Sequence, residues 1–184
     1  MILKSRVYER KLPDKDATLF VIYCEGSRRE HHYFRYFKEI SSRINVEGDQ
    51  VWFVIDTDAW GEAIPELKSL CRNRIDWFVA ESNPCFEVWL YYHVFSDAAG
   101  SIQLQGCSEW KNLVNARIPG GFDSRKHPML IGDAILNASV NFKARGDEVL
   151  YGSTEVFKLG KAMYPLIASV VEKARRYQDE KPKC

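Results

Sequence analysis

The sequence predicts an α/β fold with a small, mostly parallel sheet flanked by helices and followed by a C-terminal helical extension. In the first half of the 184-residue chain, three short apolar segments with the composition of buried strands alternate with three segments of helical periodicity. Such alternation is typical of parallel sheets with helices on their faces. It places binding sites beyond the carboxyl ends of the strands.

The three predicted strands are residues 18–24, 51–55 and 75–80. Each is a nearly continuous run of β-branched, aromatic and other apolar residues, as expected for strands that are buried on both faces. The segments at helical spacing are 28–44, 62–72 and 85–95 in the first half of the chain. In the second half they are 109–116, 127–144 and 154–177, the last with Pro165 in its interior.

Length and composition predict one soluble domain. A chain of 184 residues with 46% hydrophobic residues can bury one substantial core but not two. We therefore assign 1–184 to a single domain, with an α/β core over 18–98, a helical extension over 99–178 and a polar tail over 179–184. No segment approaches the ~20 apolar residues of a membrane span, so we expect a cytoplasmic protein without membrane contacts.

The charge and cysteine patterns exclude some classes of site. The formal net charge is +1, so no global basic field attracts nucleic acid, and an anionic partner must be held by a local patch or a metal. The five cysteines are widely spaced without a C-x-x-C pair. Neither a disulfide framework nor a thiolate zinc site is indicated.

Acidic residues follow two of the predicted strands directly. Glu25 ends the first strand, and Asp56 and Asp58 follow the second. Residues i and i+2 of an extended segment project to the same side, so the two aspartates can present their carboxylates together, with Glu25 from the neighbouring strand. Oxygen clusters of this kind suit Mg²⁺ or Mn²⁺. The alternative is structural, since Asp56 can start a turn and Asp58 can cap the next helix.

Three motifs in this order resemble the RloB-like family of small Toprim proteins. They are Cys24-Glu25-Gly26-x-x-x-Glu30, the block from Ser82-Asn83-Pro84-Cys85-Phe86-Glu87 to His93, and Ser153-Thr154-Glu155-Val156. The first, with Asp56-x-Asp58, is also similar to the Toprim signature of topoisomerases and bacterial primases. Arg29 stands where the family usually has Thr, and Trp60 where some Toprim enzymes have an acidic residue.

The resemblance implies a metal-dependent nuclease of bacterial antiphage, abortive-infection defence, with DNA or RNA as substrate and an AAA- or ABC-type ATPase as a possible partner. Glu25 would then be a metal ligand or general base, and Asp56 and Asp58 would coordinate Mg²⁺ or Mn²⁺. Two other functions remain open. One is a non-catalytic partner or sensor subunit of a defence ATPase, and the other is a toxin-like ribonuclease acting on tRNA.

Five further residues are candidates for supporting roles. Glu87 opens a predicted helix beside the third strand end and could reach the metal, and Glu30 is the second glutamate of the first motif. His93 could donate to a carboxylate, although a histidine on an apolar helix face is also a common core residue. Arg28 and Arg29 open the first helix and could bind phosphate, or form an exposed basic pair.

Overall fold

The computed structural model describes residues 18–25, 28–40, 44–104 and 106–179. Gly26 of the first motif lies outside these residues, and so does the predicted polar tail except for Asp179. No helix in the described ranges is long and apolar enough to cross a membrane.

The main sheet has four strands in the order β1-β2-β3-β6. β1 pairs with β2 and β2 with β3 in parallel, whereas β6 pairs with β3 antiparallel. A separate hairpin is formed by β4 and β5. The strands are β1 Thr18–Cys24, β2 Ile44–Asp56, β3 Trp77–Asn83, β4 Ala144–Arg145, β5 Glu148–Val149 and β6 Ser153–Thr154. The predicted fold class, a mixed α/β domain with a mostly parallel sheet and a C-terminal helix, is confirmed.

In the part of the chain that the structure describes, seven α-helices connect and flank the strands. Two 3₁₀ turns, Ala99–Ser101 and His127–Leu130, lie among them. The helices are α1 Arg29–Ile40, α2 Thr57–Trp60, α3 Ile64–Arg72, α4 Glu87–Tyr92, α5 Cys107–Arg117, α6 Ile131–Asn141 and α7 Val156–Asp179. The last of these continues through Pro165 as one helix.

The core is centred on α4, all six residues of which are buried. Trp89 is fully buried there, and Tyr33 of α1 packs edge-on against it with ring centroids 6.2 Å apart. Trp110 of α5 covers the other side of α4, where its ring meets Tyr91. Because α4 follows directly from the end of β3, this packing fixes the carboxyl edge of the sheet relative to α1 and α5.

The structure differs from the predicted elements mainly at their ends. Ile44, predicted as the end of the first helix, instead opens β2, which is several residues longer than the apolar run 51–55. Ile75 lies outside β3 and is 99% exposed. The segment 99–178, predicted to be helical, also supplies the fourth strand of the main sheet, Ser153–Thr154. This strand has only two residues, too few to show a strand periodicity in the sequence.

Candidate metal centre

Glu25 and Asp56 meet at the carboxyl edge of the sheet. Cys24 at the end of β1 is paired with Val54 of β2, so the residue after β1 lies beside the last residues of β2. The backbone N–H of Asp56 donates to Oε2 of Glu25 over 3.3 Å. The side chain of Glu25 is exposed, whereas that of Asp56 is half-buried. An exposed carboxylate and a partly shielded one are therefore adjacent at this edge.

Asp58 joins this pair from the first turn of α2 rather than from an extended segment. The strand ends at Asp56, and the helix begins at the next residue. A carboxylate oxygen of Asp56, one of Asp58 and the sulfur of Cys107 nevertheless lie within 4.8 Å of one another. The N–H of Asp58 lies 3.3 Å from the carbonyl oxygen of Pro84, which ties α2 to the turn after β3.

Five carboxyl groups converge on this edge and influence each other electrostatically. Burial, followed by the carboxylates of Glu30, Glu25, Glu87 and Asp58, raises the pKa of Asp56 to about 8. Burial and the neighbouring Glu87 and Glu25 also raise the pKa of Glu30, against the nearby Lys111. These two shifts reflect like charges that are held together in a poorly hydrated place. We call Glu25, Glu30, Asp56, Asp58 and Glu87 the carboxylate cluster.

Glu87 is the member of the carboxylate cluster that has an internal cation. Its side chain is 3% exposed, and its Oε1 accepts a hydrogen bond of 2.9 Å from Nη1 of Arg29. Among the described residues, none of the other four carboxylates has a lysine or arginine nitrogen within 4 Å. The cluster thus has more negative charge than the cations around it neutralise.

Arg28 and Arg29, the two candidate phosphate ligands, lie in different environments. Arg28 is exposed in the turn before α1. Arg29 donates to the buried Glu87, and its side chain is 37% exposed. Because a guanidinium has five N–H donors, the ion pair leaves other donors of Arg29 available at the rim of the cluster.

His93 is a core residue rather than a partner of a carboxylate. It is buried, its Nδ1 lies 3.0 Å from the carbonyl oxygen of Trp89, and its Nε2 lies 3.0 Å from the hydroxyl of Tyr33. Since a carbonyl can only accept, Nδ1 is the protonated nitrogen, and Nε2 accepts from Tyr33. Burial lowers the pKa of His93 to about 3. Both ring nitrogens are occupied within the core, so the expected donation to a carboxylate is absent.

Two cysteines at the same edge were missed by the sequence analysis. Cys85 lies in the turn between β3 and α4, and Cys107 is the first residue of α5. Their sulfur atoms and a carboxylate oxygen of Glu87 lie within 4.8 Å of one another. No C-x-x-C spacing announces this pair, because packing of α5 against α4 brings the two thiols together over 22 positions. The sequence carries no signal that could have found it.

A second group of charges is built around Lys68 of α3, and the sequence analysis also missed it. Lys68 Nζ donates to Oε2 of Glu81 over 2.5 Å and lies 3.9 Å from Glu155. Glu155 also pairs with Lys158 of α7, at 2.5 Å. Glu81 and Glu155 are both buried. We call Lys68, Glu81, Glu155 and Lys158 the ion-pair network. Each of its carboxylates has a cation at hydrogen-bonding distance.

The carboxylate cluster fits a hard divalent cation. Asp56 and Asp58 offer carboxylate oxygens within 4.8 Å of each other, and the surplus of negative charge favours a cation there. Glu25 lies beside them through its bond to the N–H of Asp56, but in the described ranges its carboxylate belongs to neither group of clustered ligand atoms. The ion-pair network offers no such place, since its carboxylates are already neutralised by lysines.

Comparison with models of known protein families gives a match. The family model described as RloB-like protein matches residues 42–163, about two thirds of the chain. The match includes Asp56, Asp58, Cys85, Glu87 and Cys107 and begins after Glu25 and Glu30. No curated protein and no solved structure matches the chain.

Proposed function

We propose that this chain, which belongs to the RloB-like family, is a divalent-cation-dependent nuclease that hydrolyses phosphodiester bonds at the carboxylate cluster. The observation that carries the proposal is the convergence of five carboxylates with one internal ion pair, at the edge of a mostly parallel sheet where such folds bind their ligands. An uncompensated acidic cluster at a functional edge favours a cation-assisted reaction on an anionic substrate.

In this proposal Asp56 and Asp58 would hold a Mg²⁺ or Mn²⁺ ion. When bound, such an ion would stabilise negative charge on the phosphodiester and make water a better nucleophile. Glu25 is exposed and fixed by the backbone N–H of Asp56, so its free oxygen can accept the proton of the attacking water. Glu87, buried and paired with Arg29, orients its surroundings rather than meeting the substrate.

Two arginines would position the substrate. Arg28 is exposed, and Arg29 keeps donors free beside its bond to Glu87. Arg28 lies in the turn before α1 and Arg29 opens the helix, immediately before Glu30 of the carboxylate cluster, so both guanidinium groups belong to the segment that leads into the cluster. A formal net charge of +1 offers little long-range attraction for nucleic acid. A partner that delivers the substrate would compensate for this.

The biological setting is the second part of the proposal. The resemblance to RloB-like proteins of defence loci supports a role in bacterial antiphage, abortive-infection defence, in the cytoplasm and with an AAA- or ABC-type ATPase as partner. The test is a phage plaque assay on cells that express the wild-type locus or the locus with Asp56→Asn. Protection that survives this substitution would contradict a defence role through the carboxylate cluster.

The test of catalysis compares purified wild type, Glu25→Gln and Asp56→Asn on labelled DNA and on total tRNA. Each reaction contains Mg²⁺ or Mn²⁺, with an EDTA control. We expect wild-type cleavage that EDTA abolishes, and a loss of at least about a hundredfold in both variants, since metal-held charge stabilisation contributes several kcal/mol. Asp147→Asn is a matched control, because Asp147 is an exposed acid paired with Arg72.

Either of two results would overturn the catalytic proposal. If folded wild type cleaves neither polymer with or without the ATPase partner, the chain is a non-catalytic sensor or partner subunit. If it cleaves equally well after Asp56→Asn, the reaction occurs elsewhere. Cleavage of tRNA alone would instead identify a toxin-like ribonuclease that uses the same carboxylate cluster.

A further inference from the structure

The turn after β3 and the start of α5 bring two thiols and a carboxylate together. Cys85 is fully buried and Glu87 is 2% exposed, while Cys107 is half-buried. One sulfur from each cysteine and one oxygen of Glu87 lie within 4.8 Å of one another. Gly106, with a φ of 117°, precedes Cys107 and allows the chain to enter α5 in a conformation that other residues rarely adopt.

This donor set differs in chemistry from the oxygens of Glu25, Asp56 and Asp58. Sulfur ligands select thiophilic cations such as Zn²⁺, whereas Mg²⁺ prefers oxygen. Zn²⁺ accepts four ligands in a tetrahedral arrangement, and two cysteines with one carboxylate leave the fourth position for water or another ligand. Cys85, Glu87 and Cys107 provide such a set of three ligands, two through sulfur and one through oxygen.

We call Cys85, Glu87 and Cys107 the thiol–carboxylate triad. Arg29, which lies outside this triad, also supports its interpretation as a metal site. Its Nη1 donates to Oε1 of Glu87, which leaves Oε2 available. Carboxylates that bind a metal are commonly held by a hydrogen bond to their other oxygen, which fixes their orientation. The other two described cysteines, Cys24 and Cys71, belong to no group of three clustered ligand atoms in the described ranges.

We propose that Cys85, Glu87 and Cys107 form a binding site for one thiophilic divalent cation, Zn²⁺ by its ligand chemistry, beside the carboxylate cluster. The inference does not depend on nuclease activity, because it rests on the sulfur atoms and on Glu87. Cys107 also lies within 4.8 Å of ligand atoms of Asp56 and Asp58. Cys85 belongs to the thiol–carboxylate triad and not to the group of Asp56, Asp58 and Cys107. A substitution of Cys85 therefore tests the proposed site alone.

The test uses Cd²⁺ and Co²⁺ alone as spectroscopic probes, titrated into the full-length chain kept reduced with a phosphine. Wild type should bind one equivalent with sulfur-to-metal charge-transfer absorption, and excess Mg²⁺ should not displace it. Cys85→Ser and Cys107→Ser should each lower the affinity at least tenfold and reduce the absorption. Cys71→Ser is the control, since Cys71 is also buried but lies outside this group of three ligands, and it should leave both the affinity and the absorption unchanged.

Circular dichroism and melting curves of each variant show whether it is folded. If Cys85→Ser does not fold, Glu87→Gln replaces it, and the same loss of affinity is expected while the absorption remains. The proposal is overturned if wild type gives no charge-transfer absorption, or if Cys85→Ser and Glu87→Gln bind Cd²⁺ as wild type does. Asp56→Asn should abolish nuclease activity but keep the absorption, so failure of one proposal is separate from failure of the other.

Discussion

The carboxylate cluster and the ion-pair network use the same residue types with opposite results. In the network, buried Glu81 and Glu155 each have a lysine nitrogen at 2.5 Å. In the cluster, five carboxyl groups share one close arginine, and the pKa of Asp56 is raised to about 8 by burial and by its neighbours. Acids that are neutralised within the fold support the structure, and acids left without a cation are the ones available to bind one.

The largest expected effect on stability is in the ion-pair network. Lys68→Met removes the cation from Glu81, which is 3% exposed, and leaves a buried carboxylate uncompensated. We expect a loss of about 3–5 kcal/mol in the free energy of unfolding, measured by urea titration. Arg72→Met, one turn later in α3, breaks an exposed pair with Asp147 that solvent screens, and it should change the free energy of unfolding far less than Lys68→Met. Equal losses in the two variants would remove the distinction between buried and exposed pairs.

His93 is a buried titratable residue whose two ring nitrogens are both hydrogen-bonded. Like the ion-pair network, it should contribute to the stability of the fold, and this contribution should depend on pH. Its pKa is lowered to about 3 by burial, so the folded state favours the neutral ring, and protonation favours unfolding. The contribution of neutral His93 to the free energy of unfolding is fully present above about pH 6.5, the pKa of an unfolded histidine. It is lost as the pH falls toward 3. Between pH 7 and pH 5 wild type should lose about 2 kcal/mol more than His93→Gln in urea titrations. His31→Gln, at an exposed histidine, should retain the wild-type pH dependence.

Among the described residues, Arg29 is the one cation within 4 Å of a carboxylate in the cluster. Its removal therefore sharpens the comparison. Arg29→Gln leaves Glu87 without its ion pair, but the arginine side chain is 37% exposed, so solvent screens much of the interaction. We expect a loss of about 1 kcal/mol in the free energy of unfolding together with tighter Mn²⁺ binding, since the cluster becomes more negative. Weaker Mn²⁺ binding would contradict this. It would mean that the main effect of Arg29 is to orient the carboxylates of the cluster, and not to compete with the ion for their negative charge.

The effect of Asp56→Asn on stability should be as small as that of Arg29→Gln but of opposite sign. Asp56→Asn removes one of several mutually repelling carboxylates, so without divalent ions the melting temperature should rise by about 2–4 °C, equivalent to about 1 kcal/mol. Differential scanning calorimetry in EDTA measures this rise. A fall comparable to that of Lys68→Met would place Asp56 among the structural ion pairs.

The parts of the site that lie along single strands could be predicted from the sequence. The three parallel strands follow from apolar runs. Glu25 comes directly after β1 and Asp56 is the last residue of β2, so their meeting at one edge is a consequence of parallel pairing. Asp58 reaches the same place for another reason, because a helix starts at Thr57. Its proximity was expected, but from an extended conformation that the chain does not adopt.

The parts that depend on packing between elements could not be predicted. The contact of Cys85 with Cys107 depends on how α5 sits against α4, and the pairing of Lys68 with Glu81 on how α3 lies against β3. The two-residue strand β6 has no periodicity to detect. For His93, the apolar helix face favoured a core position, and the hydroxyl of Tyr33 explains how the ring is satisfied there.

The most direct test of the account is Mn²⁺ binding followed by electron paramagnetic resonance in wild type, Asp56→Asn and Asp147→Asn. The account predicts that wild type and Asp147→Asn bind the ion with equal affinity, and that Asp56→Asn loses at least tenfold while remaining folded. If Asp56→Asn binds Mn²⁺ as wild type does, the uncompensated carboxylates are not a cation site, and the contrast between the two charged regions has no functional meaning.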